Sequence, residues 1–230
     1  MKGLTLILLL LTSCAAAFAG ESQLQKATNI VNEIMGTPDK GIPQNLLDNA
    51  VCVGIVPSEV KFAWVFGGTY GRGLLVCRKG GNGPWDGPFM FSIGGVSVGW
   101  QIGAKATDVV FLVMNPEGMK KLVQDNVKLG TELSVTAGPV GRSAEGATDI
   151  QLHAEILSYS RSRGLFGGAS LDGAMYKQDK NDNRKVYGRR VTAKEILIDG
   201  TVPTPGAAQS LDSVLTKYSP SSGRTFGSRL

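Results

Sequence analysis

Tyr159–Gly173 reads YSRSRGLFGGASLDG, and the rest of the chain is best understood outward from it. Arg161 and Arg163 precede Leu165 and Phe166, and Gly164, Gly167, Gly168 and Gly173 punctuate the run. Glycine accepts positive φ and lets another backbone approach closely. The Gly-Leu-Phe-Gly-Gly core therefore predicts a tight corner feeding a strand, with Leu165 and Phe166 as its plugs. The two arginines fall at the end of a helix, where cations suit the dipole. Such a corner is either a packed helix-to-strand connection alone, or one that also turns a basic lip toward an anionic surface.

Upstream, Val51–Gly103 holds 13 glycines in 53 residues. Short β-prone runs lie between them: Val51–Val56 closed by Pro57, Phe62–Phe66, Leu74–Cys77, Phe89–Ile93 and Val96–Ile102. Glycine at that density, without a fixed period, predicts antiparallel strands with bulges and corners. Val109–Met114 and Leu133–Ala137 read as further strands, and Gly138–Arg142 as a turn. Ser22-x-x-Gln25 opens a helix as a capping box, with Leu24, Ala27, Val31 and Ile34 on one face. That face docks on the core, because the opposite face has too few cations for a membrane-seeking helix. Pro43 starts a second short helix, and Asn115-Pro116-Glu117 a third.

Downstream, Ala169–Tyr176 reads as a strand leading into a solvated, highly charged hairpin loop, Lys177–Arg190. Thr192 caps a helix over Ala193–Ile198, and Ala207–Tyr218 forms a last amphipathic helix before a disordered tail. The fold class is α+β: a glycine-rich antiparallel sheet, or partly closed barrel, flanked by helices.

The 230 residues carry a formal net charge of +5, with 42% hydrophobic and 19% charged residues. That composition is globular, and the mild basic excess suits anionic partners without demanding them. Leu4–Leu11 after Lys2 is an apolar leader too short to span a bilayer, and Ala17-Phe18-Ala19 is a cleavage site. Residues 1–19 thus read as a signal peptide, 20–205 as the folded domain, and 206–230 as a helix with a flexible tail. Leu11-Thr12-Ser13-Cys14 also resembles a lipobox, which would make Cys14 a lipidated N-terminus. Both readings export the chain, to the periplasm, beyond it, or to a membrane anchor. Cys52 and Cys77 then remain, either paired or as buried thiols.

No catalytic constellation stands out. Gly71-Arg72-Gly73 is not followed by the helix of a dinucleotide fingerprint, and no phosphate loop occurs. His153, the one histidine, sits among Leu152, Ile156 and Leu157 as a structural residue; it has neither a metal-ligand spacing nor a nucleophile elbow nearby. Asp179, Asn181 and Asn183 fail the calcium-loop pattern, with Arg184 and Arg190 where glycine and glutamate belong. No enzyme activity, cofactor, metal or nucleic-acid partner is expected.

Ser158–Ala174, SYSRSRGLFGGASLDGA, resembles the signature of the SYLF-domain family. Further fragments follow the same pattern in order: Ile42-Pro43 with Leu46, Leu47 and Ala50; Gly54-Ile55-Val56-Pro57; Gly67-Gly68-x-x-Gly71-x-Gly73; Trp85-x-x-Pro88; Gly94 through Gly99-x-Gln101-x-Gly103; and Ala137–Gly141. The resemblance runs from about Ala27 to about Ile198. It implies a lipid-binding module that takes anionic phospholipid, and in eukaryotic relatives phosphoinositides and actin filaments. Actin is not expected for an exported chain. In those relatives part of the lipid contact is assigned to an N-terminal amphipathic helix; the matching segment here, Gln23–Met35, is nearly neutral. The expected lipid contacts are Arg161, Arg163, Leu165 and Phe166, with cations at head-group level and apolar side chains below them.

Overall fold

The computed structural model describes residues 23–36, 41–63, 67–97, 103–140, 154–162 and 165–221. Its centre is set by runs such as Cys52–Val56 and Val109–Val113. These have no polar face to turn to water, so they form strands covered on both sides. Four long strands pair antiparallel: β1 (Cys52–Ala63), β2 (Gly67–Cys77), β3 (Phe89–Ser97) and β4 (Gly103–Val113). The short strands are β5 (Val127–Lys128), β6 (Val135–Ala137), β7 (Ile156–Ser162), β8 (Leu165–Gly168) and β9 (Met175–Gln178). The sheet runs β5-β9-β3-β2-β1-β4-β7-β6, with β8 added on β7, and does not close on itself. Every pairing is antiparallel except β6 with β7. The α+β expectation holds.

Alternation divides the sheet between two cores. Val56, Leu75, Phe91, Val109, Phe111 and Ile156 face one; Val53, Ile55, Leu74, Val110, Leu112 and Tyr159 face the other. The second core is roofed by α1 (23–35), α2 (Gln44–Asn49) and the C-terminal helix α6 (Gln209–Tyr218). The first receives α3 (Pro116–Leu122) and α5 (Ala193–Leu197). α1 buries Leu24, Ala27, Ile30, Val31 and Ile34, so it docks on the core as its periodicity predicts. Each large aliphatic chain so buried contributes about 2 kcal/mol. Among the described residues, no helix is long and apolar enough to cross a membrane.

Local signals are realised where the sequence states them fully. Asn115 caps α3 by accepting from Gly118 N. Thr192 and Glu195 form a reciprocal capping box on α5. Cys52 and Cys77 face each other across β1 and β2 and are bonded, with Cα atoms 4.0 Å apart. Ser22, His153 and residues 222–230 lie outside the described residues, as do residues 1–19, expected as a leader.

Several expected boundaries move. Pro57 does not close the first strand. β1 continues through it by a bulge, with Val56 paired to Val109 but Glu59 to Thr107, and Ser58 at φ 55. A bulge is where a strand tolerates a residue without an N–H. β3 passes through Gly94 and Gly95 to Ser97, so Val96 belongs to it and not to a separate strand. Ala169–Tyr176 is mostly a turn, with Gly173 at φ 80, and the strand starts at Met175. The charged segment Lys177–Arg190 is not a hairpin loop. It ends β9 and then forms α4 (Lys180–Tyr187), capped by Asp179 and stopped by Gly188 in the left-handed region. The inward residues of α4 include Asp182 and Asn183; Asn183 accepts from Met90 N and donates to Met90 O, which substitutes for an apolar stripe.

Candidate functional site

The Tyr159–Gly173 stretch is a β-hairpin and not a helix end. β7 carries Arg161 to the end of the sheet and β8 returns, pairing Arg161 with Phe166, Ser162 with Leu165, and Tyr159 with Gly168. Leu157, Tyr159 and Arg161 alternate with Ser158 and Ser160, the period of a strand. Arg161 therefore owes its place to sheet register, and the helix dipole has no part in it.

The four expected contact residues do not converge. Arg161 donates from Nε and Nη2 to Asp108 Oδ2 at 3.2 and 3.0 Å, and its Nη1 pairs with Glu33 of α1. Phe166 lies flat on Tyr159, with ring centroids 5.4 Å apart and planes 8° from parallel. Leu165, one residue away on the opposite face of the strand, is 79% exposed. Arg163 lies outside the described residues. The hairpin thus has an inner side, Arg161 and Phe166, that anchors it on α1 and the second core. Its outer side presents Leu165.

Gly168 and Gly167 differ. A Cβ on Gly168 would stand 2.7 Å from the Gly138 carbonyl oxygen, whereas one on Gly167 would meet nothing within 4 Å. Gly168 is the close approach of the corner, where β8 crosses the end of β6.

The second core holds an apolar cavity of about 10 Å³ between Val31, Ile34, Ile42, Leu47, Val110 and Leu215. That is the room of about one water and far below that of an acyl chain. No group of three or more His, Cys, Asp or Glu among the described residues is arranged to hold a metal.

Besides Leu165, the large apolar side chains left exposed among the described residues are Tyr70, at 53%, and Ile198, at 36%. Tyr70 is hidden in the sequence by the glycines of Gly67–Gly73, which suggest bulges. The signal was its spacing from Arg72, which places both on one face of a strand.

A family model described as "Las17-binding protein actin regulator", Ysc84, matches residues 94–218. LAS seventeen-binding protein 3 of Saccharomyces cerevisiae is 34% identical over 216 residues, covering 88% of this chain and 46% of the yeast protein. The human SH3 domain-containing YSC84-like protein 1 is 31% identical over 204 residues, covering 86% of this chain and 59% of the human one. The chain spans about half the length of these relatives. With more than half of its residues inside the family model and most of them aligned to these proteins, the chain belongs to the Ysc84 family of SYLF domains.

Proposed function

We propose that this protein is a non-enzymatic module of the cell envelope that binds anionic phospholipid at a membrane surface. The leader-like residues 1–19 support export, with Cys14 as the alternative point of anchorage. The observation that carries the membrane reading is Leu165. A leucine 79% exposed at a hairpin end buries little of its apolar surface in the fold. Its hairpin is stiffened from behind by the Phe166–Tyr159 stack and the Arg161–Asp108 pair. An apolar side chain on a rigid support enters the acyl boundary without losing order on binding. Arg163, two residues before it in the sequence, supplies a cation for the head-group level, and Arg161 and Phe166 hold the hairpin in place.

Vesicle co-sedimentation of the purified protein tests this. Binding to phosphatidylglycerol or cardiolipin vesicles, weakened by salt and absent on phosphatidylcholine, is expected. Failure to bind anionic vesicles at low salt overturns the reading. The second reading is a partner-binding envelope protein without direct lipid recognition. It is favoured by the family description, which names a protein partner, and it takes the first one's place on that outcome.

A further inference from the structure

We propose that the uncovered face of the β2–β3–β9–β5 end of the sheet is a head-group contact surface, with Tyr70, Lys128 and Lys177 as its principal residues and an anionic bilayer as its occupant. The proposal rests on the membrane reading above and adds the surface that supplies its charge.

The register places these residues together. Lys128 pairs with Met175, Met175 with Gly94, and Gly94 with Tyr70, in one lateral row across four strands. The neighbouring row is Lys177, Ser92 and Arg72. Opposite residues of an antiparallel pair share a face, and so do residues two apart, so both rows point the same way. Their counterparts on the other face, Gly71, Ile93, Tyr176 and Val127, are buried. On this face Tyr70, Lys128 and Lys177 are exposed, and Ser92, Gly94 and Met175 are half-buried. Three strand spacings separate Lys128 from Tyr70, roughly 14 Å. The row is therefore on the scale of a few head groups.

Charge selects the occupant. Arg72 spans Asp179 and Asp182, Lys185 also meets Asp182, and Lys180 pairs with Asp125. Asp125, Asp179 and Asp182 are thereby neutralised, while Lys128 and Lys177 make no ion pair or side-chain hydrogen bond among the described residues. A lysine on the edge strand β5 would be explained by protection against edge pairing. β9 is not an edge strand, since it lies between β5 and β3, so that explanation does not reach Lys177. Tyr70 adds an aromatic ring with a polar tip, the chemistry of the membrane interface. The row continues through Val60 to Ala106, and Asp108 on the same strand pairs with Arg161. The face is thus the one that Arg161 and Phe166 share, opposite to the side from which Leu165 projects, and it meets the bilayer independently of that leucine.

The test compares the purified protein with Lys128→Gln/Lys177→Gln, with Tyr70→Ser, and with a control of equal charge loss, Lys26→Gln/Lys217→Gln, on the exposed sides of α1 and α6. Phosphatidylglycerol vesicles are the probe, and thermal midpoints check that each variant is folded. The double face variant is expected to lose about 30-fold in affinity, about fivefold per lysine. Tyr70→Ser is expected to weaken binding without altering its salt dependence, and the control to lose less than the face variant. If the parent binds and the face variant loses no more than the control, the surface is wrong while the membrane reading stands. If the parent ignores these vesicles, both fall. If actin filaments sediment the protein through the same lysines and vesicles do not, the surface is a protein-docking site and the bilayer assignment is overturned.

Discussion

Asp108 joins Arg161 to the bulge of the neighbouring strand: its Oδ2 accepts from the Arg161 guanidinium, and its Oδ1 accepts from Ser58 N at 2.9 Å. Ser58 is the positive-φ residue of that bulge. One carboxylate therefore ties the hairpin of β7 and β8 to the irregularity of β1. The side chains of Arg161 and Asp108 are 24% and 18% exposed, so the pair is worth more than a surface one. Arg161→Gln is expected to lower stability by about 1–2 kcal/mol, a fall of about 5 °C in the thermal midpoint. Differential scanning calorimetry measures it. An unchanged midpoint would return Arg161 to the role of a free surface cation.

The glycine pair of the hairpin separates two explanations of a glycine-rich run. Gly168→Val places a side chain against the Gly138 carbonyl and is expected to cost at least about 2 kcal/mol, since backbone cannot move aside cheaply. Gly167→Val meets open space and is expected to change the midpoint by less than about 2 °C. Thermal unfolding of the two variants side by side decides this. Equal losses would mean that chain flexibility, not the crossing of β8 over β6, sets the requirement for glycine.

The sequence expresses some of these features locally and some not at all. α3 and α5 were legible because Asn115-Pro116-Glu117 and Thr192-x-x-Glu195 carry their own caps. α4 was not, because the side chains it buries include Asp182 and Asn183, and its partner is the backbone of Met90, 93 residues away from Asn183. A periodicity count sees only charge there. The site was legible in part. The sequence offers Leu165 both as a plug of the corner and as a lipid contact, and the structure leaves it exposed rather than plugged; the alternation Leu157-Ser158-Tyr159-Ser160-Arg161 outweighs the helix dipole. That alternation already implied that Leu165 and Phe166, adjacent in a strand, must point apart. The Lys128–Tyr70 row could not be read at all, since it depends on register among four strands.

Asp212 on α6 makes stability depend on pH. Its Oδ1 is buried without a hydrogen-bond partner among the described residues, and so is Oδ2 of Asp86. Burial raises the Asp212 carboxyl above its ordinary value, the neighbouring Asp86 raises it further, and Lys79 opposes both. A carboxyl with a raised folded pKa holds its proton more tightly in the folded state. Stability from this group is therefore full below the unfolded value, near 3.9, and falls as pH rises through the raised one. Asp212→Asn, which mimics the protonated form, is expected to raise the thermal midpoint at pH 7 and to leave it unchanged at pH 3. A gain of the same size at both pH values would show that the charge of Asp212 is not the cause.

Arg78 fixes the C-terminal helix to the sheet. It is 1% exposed, and its guanidinium lies 3.9 Å from the centre of the Trp85 ring. Nε donates to Ala50 O, Nη1 to Gly83 O, and Nη2 to both the carbonyl and the hydroxyl of Ser219. Trp85 Nε1 donates to the same Ser219 carbonyl, and the Ser219 hydroxyl donates to Asp48. Burial lowers the Arg78 pKa and Asp48 partly restores it; guanidinium remains charged through such a shift. Removing a buried charge from its partners costs about 3–5 kcal/mol. Arg78→Met is thus expected to lower the thermal midpoint by roughly 10 °C. Arg78→Lys should recover little of it, because an ammonium is a point charge that cannot span Ala50, Gly83 and Ser219 together or stack on the indole. The loss should appear first at α6: amide exchange in Leu211–Tyr218 should speed up more than in β1 or β4. If both variants unfold within about 2 °C of the parent, or exchange accelerates evenly through the sheet, Arg78 is not what holds the chain's end in place.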